Sequence, residues 1–315
     1  MRINFRPSRI GVSFLSNSQT THQRSDAKRS LVLGTSFVLL WCTGYPAGKI
    51  ALGHAAPFTL LTLRFGIAAL IYVLLFFSFA KQPWPSWRES RHSVITGFLS
   101  LALQFGGVYL GIALGASAGF AALVIGIMPI VTALFGTFIG EPIRPMQWVG
   151  FALGFVGVAL VVADKVEVGN VPAGAYIALL VGLAGISAGT LYQKRFGSSI
   201  DLRAGLALQH ICAAAVLIPF AIHENFRFDG TTPFYESLGW LVLINSVGGF
   251  ALLFVLIQRG AATRVAALFF LMPPVTAVMN YFVIGEPLTL PKVAGFVLAA
   301  IGVYIGTRSF APSLE

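Results

Sequence analysis

Ten times along this chain an almost uncharged, apolar stretch of about twenty residues recurs, long enough to cross a hydrocarbon layer of about 30 Å as a helix. The stretches run over about 31–52, 57–80, 93–114, 117–139, 147–163, 172–192, 202–222, 237–257, 262–284 and 290–308. They are continuously apolar instead of alternating every second residue, so they predict helices and not barrel strands. Only 10% of the residues are charged and 57% are hydrophobic. A mean hydropathy of +0.83 exceeds what one core can hide, because a folded domain of this size keeps a large wet exterior. The reading is an all-α polytopic membrane protein whose main partner is the lipid bilayer.

The loops orient it. Cytoplasmic loops retain Lys and Arg, and ten spans sort these residues sixteen to four. One side holds Arg2, Arg6, Arg9, Arg24, Lys28, Arg29, Lys81, Arg88, Arg91, Arg144, Lys194, Arg195, Arg203, Arg259, Arg264 and Arg308; the other holds Lys49, Lys165, Arg227 and Lys292. Both termini are therefore expected in the cytoplasm. The net charge of +10 is explained by this asymmetry and calls for no nucleic acid. Cys42 and Cys212 lie inside apolar runs without metal-ligand or CxxC spacing.

The tetrapeptide IGEP occurs at 139–142 and again at 284–287, a shift of 145 residues. With that shift, residues 115–158 fall on 260–303 without a gap, and 15 of the 44 positions are identical, among them Pro129/Pro274, Gly150/Gly295 and Gly157/Gly302. The chain is a tandem duplication. Five helices per copy is an odd number, so the second copy is expected to enter from the opposite face. The expected organisation is a disordered basic cytoplasmic tail over 1–30, a five-helix repeat over 31–165 and an inverted one over 172–310. Inverted repeats with broken helices characterise secondary transporters, which rock one half against the other around a midplane site.

The stretches "GASAGFAALVIGIMPIVTALFGTFIGEP", "GAATRVAALFFLMPPVTAVMNYFVIGEP", "LLWCTGYPAGKIAL" and "PFTLLTLRFGIAALI" resemble the EamA-type transporters of the drug/metabolite superfamily. The resemblance covers the chain after residue 30. It implies ten helices in two inverted halves, a place in a bacterial inner (plasma) membrane and the movement of small metabolites, often as exporters. The "WCTGYPAGK" of the first helix departs from the Gly-Ser that commonly follows the Trp in that family.

Arg64 stands eight residues into the second run, where an arginine costs about 2.5–3.5 kcal/mol on insertion scales unless it faces a bundle interior or water. It reads as a substrate site, against snorkelling to the outer interface. Lys49, at similar depth, reads as its partner in attracting an anion or as an interfacial anchor. The repeat maps Arg64 onto Gln209, beside His210, and Lys49 onto Lys194. His210 is either a titrating group or a hydrogen-bonded packing residue. Gln104, Asn245 and Ser246 line a cavity or bond helix to helix; Trp41, Tyr45, Tyr109, Tyr192 and Asn280 are candidate walls. Pro129 and the pair Pro273 and Pro274 mark matched breaks, read as the site or a gating hinge against a plain packing kink.

All eleven acidic residues fall in loops or at helix ends. That disfavours a cationic-drug antiporter working through a buried Glu and favours a substrate with a carboxylate or other anion. "GISAG" and "GASAG" match GxSxG, but neither sits in the strand-turn-helix context a hydrolase needs, and no metal or cofactor motif is present. The expectation is a carrier, not an enzyme, without cofactor or metal, for a small polar or zwitterionic molecule such as an amino acid. A phosphorylated-sugar or nucleotide-sugar exchanger and a non-transporting membrane subunit are the alternatives, and a homodimer is left open.

Overall fold

The computed structural model describes residues 32–80, 82–116, 121, 124–138, 140, 143–162, 172–196, 200–256, 268–285 and 288–308. The tail expected over 1–30, residues 139, 141, 142, 286 and 287 of the two IGEP turns, and the side chains of Pro273 and Asn280 lie outside the described residues. Among the described residues the longer helical elements are the following, besides helical residues at 121 and 124–126 and a 3₁₀ turn at Phe269–Leu271. Residues 32–42 and Gly44–Leu52 form α1, interrupted at Thr43. Then follow α2 (Pro57–Phe79), α3 (Trp87–Ala113), α4 (Met128–Thr137), α5 (Pro145–Val162), α6 (Ala173–Phe196), α7 (Leu202–His223), α8 (residues 232–256), α9 (Met272–Ile284) and α10 (Leu290–Arg308). Five of them, namely α2, α3, α6, α7 and most of α8, are long and apolar enough to cross a membrane by length and composition.

The ends follow local chemistry. Pro57 opens α2, where a missing N–H is no loss. Ser86 and Glu89 form a reciprocal capping box at the start of α3. The Asp201 carboxylate accepts from the Arg203 N–H at 2.8 Å and caps α7. Gly140 and Gly285, the glycines of the two IGEP copies, both take the left-handed conformation, at φ 85° and 70°. That is the region a glycine enters without steric cost after a helix end.

Small residues decide how the helices meet. Gly157 of α5 lies against Gly295 and Ala299 of α10, and Gly302 of α10 lies against Gly150 and Gly154 of α5. Early residues of one helix meet late residues of the other, so α5 and α10, equivalent under the 145-residue shift, run antiparallel with reciprocal contacts. The equivalent pair α2 and α7 is likewise antiparallel: Phe58 rings with Phe220 at 5.0 Å, and Phe65 with His210 at 5.8 Å.

Both third helices also share an irregularity. A π-helical segment spans Phe98–Leu103 in α3 and Leu241–Gly249 in α8. Within these segments Ser100 packs on Gly189 of α6, and its equivalent Asn245 packs on Gly44 of α1, the equivalent of Gly189. Such bulges widen the turn and free backbone carbonyls. The Tyr72 hydroxyl donates to two of these carbonyls, Ser246 O at 3.0 Å and Val247 O at 2.7 Å.

One end of the bundle is tied across the halves. Glu224, just past α7, accepts from the N–H groups of Phe58 and Thr59 at 3.2 and 2.8 Å and from the Thr59 hydroxyl at 3.1 Å. A carboxylate is favoured there because the first N–H groups of α2 have no partners inside the helix. Ala55 and Phe228 form an antiparallel bridge, and His54 Nδ1 meets Asp229 Oδ2 at 2.5 Å. The backbone N–H of Thr231, then the His54 side chain, hold the Asp229 carboxyl below its ordinary range. A carboxylate with a lowered folded pKa adds stability above its unfolded value of about 3.9 and loses it as pH falls through the lowered one. The tie is therefore expected to hold at neutral pH and to loosen in acid below about pH 4. Spin labels at positions 53 and 230 should show one narrow distance at pH 7 that broadens at pH 3, with Asp229→Asn broadening it at pH 7; a pH-independent distance would refute this.

Candidate functional site

Arg64 lies in the interior with 2% of its surface exposed. Its guanidinium stacks over the Phe105 ring of α3 at 4.7 Å, and Nε donates to the Ser246 hydroxyl of α8 at 2.8 Å. The Tyr109 hydroxyl faces the same guanidinium from one turn further along α3. No described carboxylate forms an ion pair with Arg64. A guanidinium offers five N–H donors and matches carboxylates bidentately, so this buried cation is suited to receive an anion from outside the chain.

Rings enclose it. Phe105 lies 5.6 Å from Phe65, 6.0 Å from Phe250, 6.3 Å from Tyr109 and 6.4 Å from Trp41. Trp41 in turn contacts Phe250 at 4.9 Å and Phe269 at 5.6 Å. Tyr45 neighbours Tyr109, and Gly48 gives the Tyr109 hydroxyl room: a Cβ there would stand 2.7 Å from it. His210, on α7, meets Phe65, Tyr72 and Phe250. Of the residues singled out in the sequence, Arg64, Trp41, Tyr45, Tyr109, His210 and Ser246 thus gather around Phe105 and its ring neighbours.

The remaining candidates stand elsewhere. Gln104 lies on the α3–α6 seam, its backbone against Gly182 and Gly185. Gln209 donates to Gln193 at 3.4 Å, and its backbone packs on Gly97. Asn245 donates through Nδ2 to Leu40 O at 2.6 Å and Trp41 O at 3.3 Å, carbonyls next to the interruption of α1. Lys49 is exposed at the end of α1. Pro129 is the second residue of α4, directly after the break at Ile127; Pro274 is the third of α9, after a 3₁₀ turn at Phe269–Leu271.

Phe105, Phe65, Phe250 and Tyr72 were not legible as site residues, because an aromatic in an apolar run carries no positional signal of its own. Ser187 of "GISAG" is fully buried within α6. Among the described residues no group of His, Cys, Asp or Glu could hold a metal ion.

An all-helical bundle with five helices long and apolar enough to cross a membrane defines a class, that of multi-pass membrane proteins, and the comparisons narrow it. The model of the EamA-like transporter family matches residues 28–163 and again 173–308. The chain belongs to this family. It is 27% identical to the uncharacterized transporter YvbV of Bacillus subtilis (strain 168), over 90% of this chain and 93% of that protein. It is 26% identical to a probable amino-acid metabolite efflux pump of Escherichia coli (strain K12), over 89% and 95%. It is 25% identical to the uncharacterized inner membrane transporter YedA of the same strain, over 86% and 88%. A crystal structure 18% identical in sequence superposes with a TM-score of 0.73 over 90% of this chain and 97% of the other, a likeness of fold.

Proposed function

We propose that this chain is an alternating-access carrier that exports a small polar or zwitterionic metabolite such as an amino acid, whose carboxylate docks on Arg64. The observation that carries this reading is the guanidinium of Arg64, buried between Phe105, Ser246 and Tyr109 without a described carboxylate partner. An unpaired interior charge is expensive and persists where a ligand or function uses it. The Escherichia coli relative named as a probable amino-acid metabolite efflux pump supports the substrate class.

The membrane arrangement we propose is ten spans in two inverted five-helix repeats, 31–165 and 172–310, with both termini cytoplasmic. The reciprocal antiparallel contact of α5 with α10 supports the inversion, and the breaks at Pro129 and Pro274 supply matched hinges. A phosphatase or fluorescent reporter at the C-terminus is expected to read cytoplasmic; an external reading would overturn this helix count. The function itself is tested by counterflow in proteoliposomes against a metabolite library. Carboxylate-bearing zwitterions are expected to exchange, while stimulation by sugar phosphates alone would transfer the assignment to that class.

A further inference from the structure

His210 is wholly enclosed, with 0% of its surface exposed, on the face of α7 turned to α2 and α8. Its Nδ1 lies 2.8 Å from the carbonyl oxygen of Leu206, one turn earlier. A carbonyl only accepts, so Nδ1 carries the hydrogen and Nε2 presents a lone pair. That lone pair has no hydrogen-bond partner among the described residues. The Tyr72 hydroxyl on its flank is already committed to the carbonyls of Ser246 and Val247.

The surroundings select what Nε2 accepts from. The rings of Phe65, Tyr72 and Phe250 stand 5.8, 5.2 and 5.6 Å from the imidazole. The Phe65 and Phe250 rings cross the imidazole at 73° and 88° and carry no polar hydrogen that could be given to Nε2. Phe65 also packs on Phe105, the ring that carries the Arg64 guanidinium. Among the described residues the ionisable groups beside His210 are thus Arg64 and Tyr72 of α2, with Tyr109 of α3 beyond Phe105; α8 presents Phe250, which does not titrate. A buried acceptor left without a donor is costly, so it is expected to acquire one at another stage of the cycle. Two donors fit a lone pair among rings, an ammonium N–H and a proton, and they exclude each other.

We infer that His210 Nε2 is an exchange site that binds in turn the ammonium group of a zwitterionic substrate and a proton, which couples substrate export to proton entry. The inference rests on the Arg64 reading, since Arg64 holds the carboxylate while His210 holds the ammonium. When substrate leaves on the outer side, Nε2 takes a proton from external water and becomes imidazolium. When the next ammonium arrives from the inner side, that proton passes to internal water and the neutral imidazole accepts the N–H. One proton enters for each substrate exported, and no bond within the substrate changes.

Proteoliposomes containing trapped pyranine and loaded with an equimolar mixture of the proteinogenic amino acids provide the test. Efflux of the mixture is expected to acidify the lumen in the wild type. His210→Gln is expected to lose the pH change and, because the same Nε2 holds the ammonium, to weaken counterflow of the labelled mixture as well. An undiminished pH change in His210→Gln, or wild-type counterflow without one, overturns the coupling and leaves Arg64 in place. Absence of any wild-type counterflow of the mixture overturns the Arg64 reading, and the coupling with it. Should His210→Gln fail to fold, the ¹⁵N-histidine spectrum of the wild type in bilayers decides. The Nε2 resonance is expected to shift with the amino-acid mixture but not with acetate alone, and an unresponsive Nε2 while arginine signals respond overturns the proposal.

Discussion

Replacing Arg64 with Met is expected to abolish transport while leaving the protein folded and about as heat-stable in detergent as the parent. The two effects separate a ligand site from a structural anchor. No described carboxylate pairs with the guanidinium, so its removal strands no buried counter-charge. It does remove an interior cation whose insertion costs about 2.5–3.5 kcal/mol. The losses are the hydrogen bond to Ser246, worth about 1.5–3 kcal/mol to a charged donor, and the stacking on Phe105, worth about 0.5–2 kcal/mol. Gains and losses nearly cancel for the fold, whereas a substrate carboxylate loses its only buried cation among the described residues. Arg64→Lys keeps the charge without the fork and is expected to retain weak exchange. Counterflow in proteoliposomes and a melting curve followed by size-exclusion chromatography measure both. Undiminished flux in Arg64→Met would end the site assignment, and a collapse in stability would make Arg64 a packing residue.

The second large effect concerns the contact between α5 and α10. A Cβ on Gly157 would stand 2.5 Å from Ala299 N and 2.6 Å from Gly295 O, and one on Gly302 would stand 2.5 Å from Gly154 N and 2.7 Å from Gly150 O. These neighbours are backbone atoms and cannot swing aside, so the helices must separate. Gly157→Leu and Gly302→Leu are each expected to destabilise by about 3 kcal/mol, the upper part of the usual overpacking range. Because the two contacts are reciprocal, the two variants are expected to melt at nearly the same temperature. A variant pair differing widely, or either one melting like the parent, would argue that α5 and α10 meet differently. The inverted-repeat reading would then lose its main geometric support.

Much of the fold was legible in advance because lipid leaves the backbone few options. The helical elements overlap the apolar runs, although α3 and α8 begin six and five residues before theirs and α6 ends four residues after its own, and the duplicated IGEP marked two equivalent turns whose glycines share the left-handed conformation. The short reach of some elements, such as α4 at Met128–Thr137, was not legible: hydropathy counts apolar residues and does not register where a helix breaks at Ile127. Within the site, Arg64 stood out by charge alone. Asn245 did not declare which of its roles it plays, because an amide can donate to a ligand or to another helix; its Nδ2 bonds the carbonyls of Leu40 and Trp41. The ties of Glu224 to Thr59 and of Asp229 to His54 join residues 165 and 175 positions apart, and nothing local in either segment announces the other.

The sequence by itself determined the solvent, the helical class, the duplication and the presence of one interior cation, because each of these depends on composition, length and period along the chain. Only the tertiary structure decided what surrounds that cation and which lone pair next to it lacks a donor. Phe65, Phe105 and Phe250 come from three different helices and meet around Arg64 and His210 because glycines and π-helical turns set how closely and at what rotation those helices pack. That rotation is a property of contacts between distant segments, which no local pattern encodes.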